Sequence, residues 1–597
     1  MKKIKNLGKV LVIIGLWANI GNVGFAIEEK IDASEQVIQE NANSILKENI
    51  NKNIITPNIS PGTMNDAEHT RRYFRFFEDT HRTKFKPNID VPLIKKEKLT
   101  LPARIQQDAV TTHINKVEFS NSEIFTEEEI SEFKSLLENK DATAEDINNF
   151  VEIINQQYRN REIITARANL ESLEGGVLKI ELMEAKIGAV YVEGNKFNRK
   201  WFLKKQISSK PSDVLNIQKL EDDLRTFNQN ARSVKLSAKL KPGEEYGTTD
   251  IVLNAEEEFP FHFAASWDSF GRETTGLLRG GLMISSDSLF GFQDRLTSAV
   301  NIARSSVSPF VDYNVPINRK GTRVGASYMY GKSKITSGEY SDYDLNADTS
   351  VYSTYLTHPL INTQKAQLSL NTSANIKVST ADIAGFEYTN YKDYNLSVGL
   401  GGRYNFQNSL LFGSIYSVTG LIHDDLRSET NGFTKINAET YYVHYLPKNI
   451  IATFKAGGQY TPNDVPFVEQ YQIGGMSSVR GYSESLLLGA NSYYASLEML
   501  FPIPFLPEEI NIPFKESAKY RLQDSIKFAV FLDNGAVFPH NTSTKSSNFL
   551  SSVGAGFRIA ISKYLTARVY LGVPLMNTKH YDQSKVRLHF DLIGSPF

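Results

Sequence analysis

The stretch Ile526 to Gly535, IKFAVFLDNG, places Ile526, Phe528, Val530 and Leu532 on one side of an extended chain and Lys527, Ala529, Phe531 and Asp533 on the other. Side chains of a strand alternate faces with a period of two, so the reading is a strand with one oily face and one face that tolerates charge. The pattern recurs on both sides of it. Ala366, Leu368, Leu370 and Ala374 alternate with Gln367, Ser369, Asn371 and Ser373. Leu565, Ala567, Val569, Leu571 and Val573 alternate with Thr566, Arg568, Tyr570 and Gly572. Val586, Leu588, Phe590 and Leu592 alternate with Arg587, His589 and Asp591. From Phe259 to Phe597 such runs follow one another, broken by Gly, Asn, Asp and Ser clusters and without helical periodicity. A soluble sandwich is the competing reading, but its oily face would need a second layer to cover it. In a bilayer only a closed barrel satisfies every backbone polar group without helices, and lipid outside with water inside produces this alternation. The expected fold class is a transmembrane antiparallel β-barrel over 260–597.

Working outward, residues 113–258 carry two consecutive units of one order. The first has a strand (Ile114 to Phe119), a helix opened by Thr126 with the acids Glu127 to Glu129, and a helix opened by Thr143. Strands Ile164 to Leu170 and Val177 to Leu182 complete it. The second has a strand Ile187 to Val192, helices around Trp201 and around Leu220, Leu224 and Phe227, then strands Val234 to Leu240 and Thr249 to Asn254. Each buries a helical layer on a small sheet. Before them, Lys2, Lys3, Lys5 and Lys9 precede an apolar run from Val10 to Trp17, and Gly24-Phe25-Ala26 supplies the small residues of a cleavage site, so 1–26 reads as a secretory signal. Residues 27–50 have weak helical periodicity. Residues 51–110, punctuated by Pro57, Pro61, Pro87, Pro92 and Pro102, read as a linker, with a basic aromatic strip, Arg71 to Lys86, read as a docking element.

Composition removes several function classes. The 597 residues hold 66 Lys+Arg against 67 Asp+Glu, so no global charge points to a nucleic-acid partner. Cysteine is absent, which excludes disulfides, thiolate metal sites and cysteine nucleophiles. The 10 histidines form no H-E-x-x-H, and neither G-x-S-x-G nor a phosphate-binding G-x-x-x-x-G-K-[ST] occurs. Asp342 to Asp348 imitates the start of a calcium loop, yet Ala347 stands where glycine is needed and Ser353 where glutamate is, so it reads as an acidic surface loop. No catalytic residue, metal, cofactor or nucleotide is expected.

One charge asks for a partner. In QIGGMSSVRGYSE, Gln472 to Glu484, a single Arg480 sits among glycines and serines. A guanidinium is a planar, permanently charged fork suited to a carboxylate, and Asp533 lies on the polar face of its strand, against Gly535. A loop folded into the barrel brings the two together; an ordinary exposed loop charge is the competing reading.

These residues carry a resemblance. Val479, Arg480, Gly481 and Tyr482, with Phe531, Asp533 and Gly535 downstream, resemble the paired signature of barrels that bear periplasmic POTRA domains. EGGVLKIELMEAKIGAVYVEGN, LNIQKLEDDLRTFNQN with LKPG and GTTD, and WDSFGRETTGLLRGGL with LFGFQD are similar to the two-partner secretion transporters, the TpsB family. Ala185 and Ser269 depart from that family's usual glycine and asparagine. The resemblance implies POTRA domains at 111–186 and 187–259, a sixteen-stranded barrel, a plug helix at 27–50, and an inward loop around 466–490 whose tip meets the Phe531 strand. It further implies an outer-membrane location and export of an unfolded TpsA-type exoprotein, of haemolysin or adhesin kind. The groove candidates are Leu220, Leu224, Val234, Leu236 and Leu240. The alternative is an outer-membrane protein assembly factor.

Overall fold

The computed structural model describes residues 94–95 and 111–595, apart from short internal stretches of which the longest are 507–524, 539–547 and 577–584. The signal, the plug candidate and the Arg71 to Lys86 strip lie outside the described residues.

A short strand, β1 (Ile94–Lys95), precedes the first unit. That unit opens with β2 (Thr112–Ile114) and β3 (Lys116–Phe119), followed by α1 (Glu127–Leu137), β4 (Lys140–Ala142), α2 (Ala144–Asn160), β5 (Arg167–Glu174) and β6 (Val177–Met183). Both helices start where the sequence places them. Thr126 accepts from the Glu129 N–H and Thr143 from the Asp146 N–H, and each acid reaches back to the cap backbone. The strand expected from Ile164 begins instead at Arg167, because Ile163 and Ala166 are spent closing the end of α2: the Ile163 N–H donates to Tyr158 O and the Ala166 N–H to Ile163 O. The sheet order is β3-β6-β5, and Phe125, Phe150, Ile154 and Tyr158 pack over it.

The second unit comprises β7 (Lys186–Glu193), α3 (Lys200–Lys204), α4 (Ile217–Asn230), β8 (Val234–Pro242) and β9 (Thr248–Glu257). Its sheet gains a strand from outside the unit: β1, within the predicted linker, pairs parallel to β8, giving the order β1-β8-β9-β7.

The barrel strands are β10 (Phe261–Asp268), β11 (Arg279–Ser286), β12 (Arg295–Ala303), β13 (Ser306–Pro316), β14 (Arg323–Lys334), β15 (Leu345–Asn362), β16 (Ala366–Ile383), β17 (Phe386–Asn405), β18 (Ser409–Asp424), β19 (Glu429–Leu446) and β20 (Ile450–Tyr460). After the ribbon β21 (Tyr471–Ile473) and β22 (Leu487–Gly489) the wall resumes with β23 (Asn491–Pro502), β24 (Ile526–Phe538), β25 (Phe549–Ile561), β26 (Leu565–Pro574) and β27 (Arg587–Gly594). Sixteen antiparallel strands close on themselves, β27 pairing with β10 through Ala265 to Asp268 alone. The calcium-like segment is corrected here. Leu345 to Asp348 is strand, not loop, because β14 and β16 both extend far enough to pair with it.

Alternation sorts the wall as expected. Along β26, Val569 and Leu571 face outward and exposed, while Thr566, Arg568 and Tyr570 are buried in the bore. Leu396, Ile415, Leu421, Leu497, Leu532 and Leu588 continue an exposed apolar outer surface, as lipid contact requires. The second α/β unit is fastened to the near rim. Arg199 donates from its N–H to Gly291 O at 2.7 Å and from Nε to Phe290 O at 2.6 Å, and Arg319 Nε donates to Lys205 O at 2.8 Å. Turns 287–294 and 317–322 therefore lie on the side of the small domains, and the connection between β20 and β23 belongs to the opposite rim.

Candidate functional site

That connection, 461–490, folds into the bore, and its tip is built around Arg480. The strand beneath it supplies the partner. Asp533 is fully buried on the lumenal face of β24, with Ser496 of β23 and Ser552 of β25 as its neighbours across the sheet, small residues that leave space above the carboxylate. Arg480 donates from Nε to Asp533 Oδ2 at 2.8 Å and from Nη2 to Asp533 Oδ1 at 2.9 Å, and its backbone N–H donates to Oδ2 at 2.9 Å. This is the bidentate fork expected from the sequence. The reading of Arg480 as an exposed loop charge falls, since the residue is 5% exposed.

Sequence reasoning missed the second carboxylate. Arg480 Nη1 donates to Glu498 Oε2 at 2.6 Å, and Glu498 Oε1 also receives Arg558 Nε at 2.6 Å and the Tyr570 hydroxyl at 2.9 Å. The available signal was an acid flanked by Leu497, Met499 and Leu500 in an otherwise oily run. The guanidinium carbon lies 3.6 Å from the Phe531 ring centroid and 4.8 Å from that of Tyr570, so aromatic faces close the remaining sides of the cation.

The other motif residues hold the tip in place. Val479 is fully buried with Ile473, Tyr494 and Val537. The Gly481 N–H donates to His589 Nε2 at 2.9 Å, and its φ of +89° suits glycine. A Cβ on Gly572 would stand 2.5 Å from the Gly481 nitrogen, so loop and β26 backbones meet without side chains between them. Tyr482 donates its hydroxyl to Ser551 O at 2.8 Å. At Gly535 a Cβ would come 3.0 Å from Val479 Cγ2 and 3.2 Å from Ile473 Cδ1, which explains glycine after the aspartate. Beside the loop, a cavity of about 170 Å³ runs along β12 to β16, lined by Asn301, Ser308, Ser333, Thr349 and Ser379 and, from the loop, Phe467 and Gln472.

The second candidate site is the outer edge of β8. The proposed groove side chains are corrected: Leu220, Leu224, Val234 and Leu236 are fully buried, and Leu240 packs against the same core. Their period-two and helical spacing puts them between helix and sheet, so a guest would meet the strand's backbone and not these side chains. Asn228 caps that backbone, donating from Nδ2 to Leu236 O at 2.8 Å and accepting from the Leu236 N–H at 2.8 Å. One strand period further, β1 begins, Ile94 opposite Ala238 and Lys95 opposite Lys239. The first unit repeats the device: Asn155 accepts from the Ala168 N–H at 2.8 Å and donates to Ala168 O at 3.3 Å on the outer edge of β5.

The family of haemolysin secretion/activation proteins described as ShlB/FhaC/HecB matches residues 247–559, and the ShlB-type POTRA domain matches residues 112–185. The chain belongs to this family. It is an outer-membrane transporter of two-partner secretion, its POTRA domains in the periplasm. The transporter is 23% identical over 480 residues to the heme/hemopexin transporter protein HuxB of Haemophilus influenzae, covering 77% of this chain and 82% of that protein. It is 24% identical over 447 residues to the outer membrane transporter CdiB of Escherichia coli, covering 70% and 71%. In fold it is similar to CdiB from Acinetobacter baumannii, with a TM-score of 0.59 at 18% identity over 91% of this chain and 100% of that one.

Proposed function

We propose that this transporter captures an unfolded TpsA-type exoprotein as an added strand on its POTRA sheets and passes it through the bore to the cell surface, without enzymatic turnover, cofactor, metal or nucleotide. The observation that carries the reading is β1: an extended segment of the chain itself lies in register on the outer edge of β8, the backbone hydrogen-bonding mode by which a sheet edge takes a foreign strand. Such capture makes mild demands on guest sequence, which suits a long cargo. On the edge of β5, the groups beyond the Asn155 cap, at Leu170 and Leu173, offer a second place; among the described residues no strand pairs there, and Leu170 is 48% exposed. Under this reading 111–186 and 187–259 are the two capture domains, 260–597 the pore, and 27–50 its plug. Arg480 and Asp533 keep the inward loop in one of its states.

The test is site-specific photo-crosslinking in cells that export the cognate exoprotein. A photoreactive residue at Lys239 or at Leu170 should trap the exoprotein, and one at the outward Leu532 should not. Export at the wild-type level with no adduct at either POTRA edge would overturn the capture step.

A further inference from the structure

The inward loop is held at a second place that the Arg480 clasp does not account for. Where the loop enters the bore, the turn Phe467–Glu469 brings Glu469 to a buried position whose side chain is 1% exposed. Lys435 of β19 meets its Oε2 at 2.7 Å, and Lys377 of β16 is paired with its Oε1. The same two ammonium groups also hold loop backbone: Lys377 Nζ donates to Val468 O at 3.2 Å and Lys435 Nζ to Glu469 O at 3.3 Å. Gln459 of β20 donates Nε2 to Glu469 O at 2.8 Å and to Ala490 O at 3.0 Å, joining the entering and leaving limbs of the loop. Asp393 of β17 lies 3.8 Å from Lys377, so two lysines and two carboxyl groups gather in the cluster. A buried cluster of this kind fixes one arrangement of the groups that form it.

Its position gives it meaning. In ring order β16, β19 and β20 are the seventh, tenth and eleventh staves, and β23 and β24 the twelfth and thirteenth. Glu469 is held by Lys377, Lys435 and Gln459 of the first set, and Arg480 by Glu498 and Asp533 of the second. Ten residues separate them, and of these Tyr471 and Ile473 already pack on Tyr494 of β23 and Val537 of β24. We propose that Glu469 is a positioning residue, the centre of a second clasp that holds the loop's base to the β16–β20 wall independently of the tip, so that the tip can let go of Asp533 while the base stays in the bore. This deepens the transport reading and takes its significance from it, but the claim concerns where the loop sits and is tested without export.

Because the chain has no native cysteine, spin labels can be placed at will in the full-length protein in detergent. One pair joins Asp464→Cys at the exposed loop entrance to Gln407→Cys in an exposed turn at the near rim; the other joins Ser477→Cys at the tip to the same reference. Glu469→Gln should at least double the width of the 464–407 distance distribution and leave 477–407 at its wild-type width, whereas Asp533→Ala should do the reverse. Glu469→Asp should restore the narrow base distribution. A narrow base in Glu469→Gln, or both pairs broadening together in either single variant, overturns the independent clasp. If Glu469→Gln does not yield a heat-modifiable, folded barrel, Lys435→Gln is read by the same criteria. Broadening of the base distribution in Glu469→Gln with export at the wild-type level would leave the clasp standing and count against the transport role assigned to the loop, whereas unchanged distances overturn the clasp whatever export does.

Discussion

Replacing Asp533 by alanine removes the acceptor of three hydrogen bonds from Arg480 and one from Ser496 Oγ at 2.6 Å, in a site where Asp533 is fully buried. Breaking a buried pair by removing one partner costs about 3–5 kcal/mol, because the other charge is left desolvated. Glu498 remains 2.6 Å from Nη1 and the two rings remain stacked, so the lower end, about 3 kcal/mol, is the expectation here. At about 1.4 kcal/mol per decade this shifts the ratio of clasped to released tip by roughly 100-fold. The readout is the rate at which a membrane-impermeant maleimide modifies Ser477→Cys, a half-buried tip position in a chain with no other thiol. Asp533→Ala should accelerate labelling by about two orders of magnitude by this arithmetic. Asp533→Asn, which keeps the shape and some hydrogen bonds, should fall between. The barrel should still fold, since its ladder is untouched, and export of the cognate exoprotein should fall. Wild-type labelling and wild-type export in Asp533→Ala would refute the assignment.

Deleting residues 91–97 clears β1 from the edge of β8; with net backbone hydrogen bonds worth about 0.5–1.5 kcal/mol each and a short ladder, the amino-terminal segment of the exoprotein should bind roughly tenfold more tightly, measured by titration. Asn228→Ala leaves both backbone groups of Leu236 without their partner inside the second POTRA domain, which should destabilise that domain by about 1–3 kcal/mol and accelerate amide exchange at Leu236. Removing residues 28–50 should raise ion conductance in planar bilayers, and unchanged conductance would show that no plug resides there.

The fold was readable because a bilayer imposes a strict rule. Each strand's outer side must be oily, and the period-two pattern from Ala366 to Leu592 states this residue by residue. The Thr126 and Thr143 caps were equally plain, since capping is local chemistry. Arg480 and Asp533 were legible as a candidate pair because each stands out from its surroundings. Glu498, Lys377, Lys435 and Glu469 were not paired in advance: they meet only after sixteen strands close and the loop turns inward, and nothing in their spacing encodes that juxtaposition. The groove leucines failed for the opposite reason. The alternation that marks a strand also marks its buried face, and it is silent about the backbone edge, where β1 lies.

The space beside the loop is off-centre. The cavity along β12 to β16 is lined by the hydroxyls of Ser308, Ser333, Thr349 and Ser379 and also by the guanidinium groups of Arg272 and Arg279. An extended thread passing this lining would exchange hydroxyl contacts of equivalent strength along the serines and threonine and meet fixed positive charge at Arg272 and Arg279, so its acidic stretches would be slowed there and its neutral ones would not.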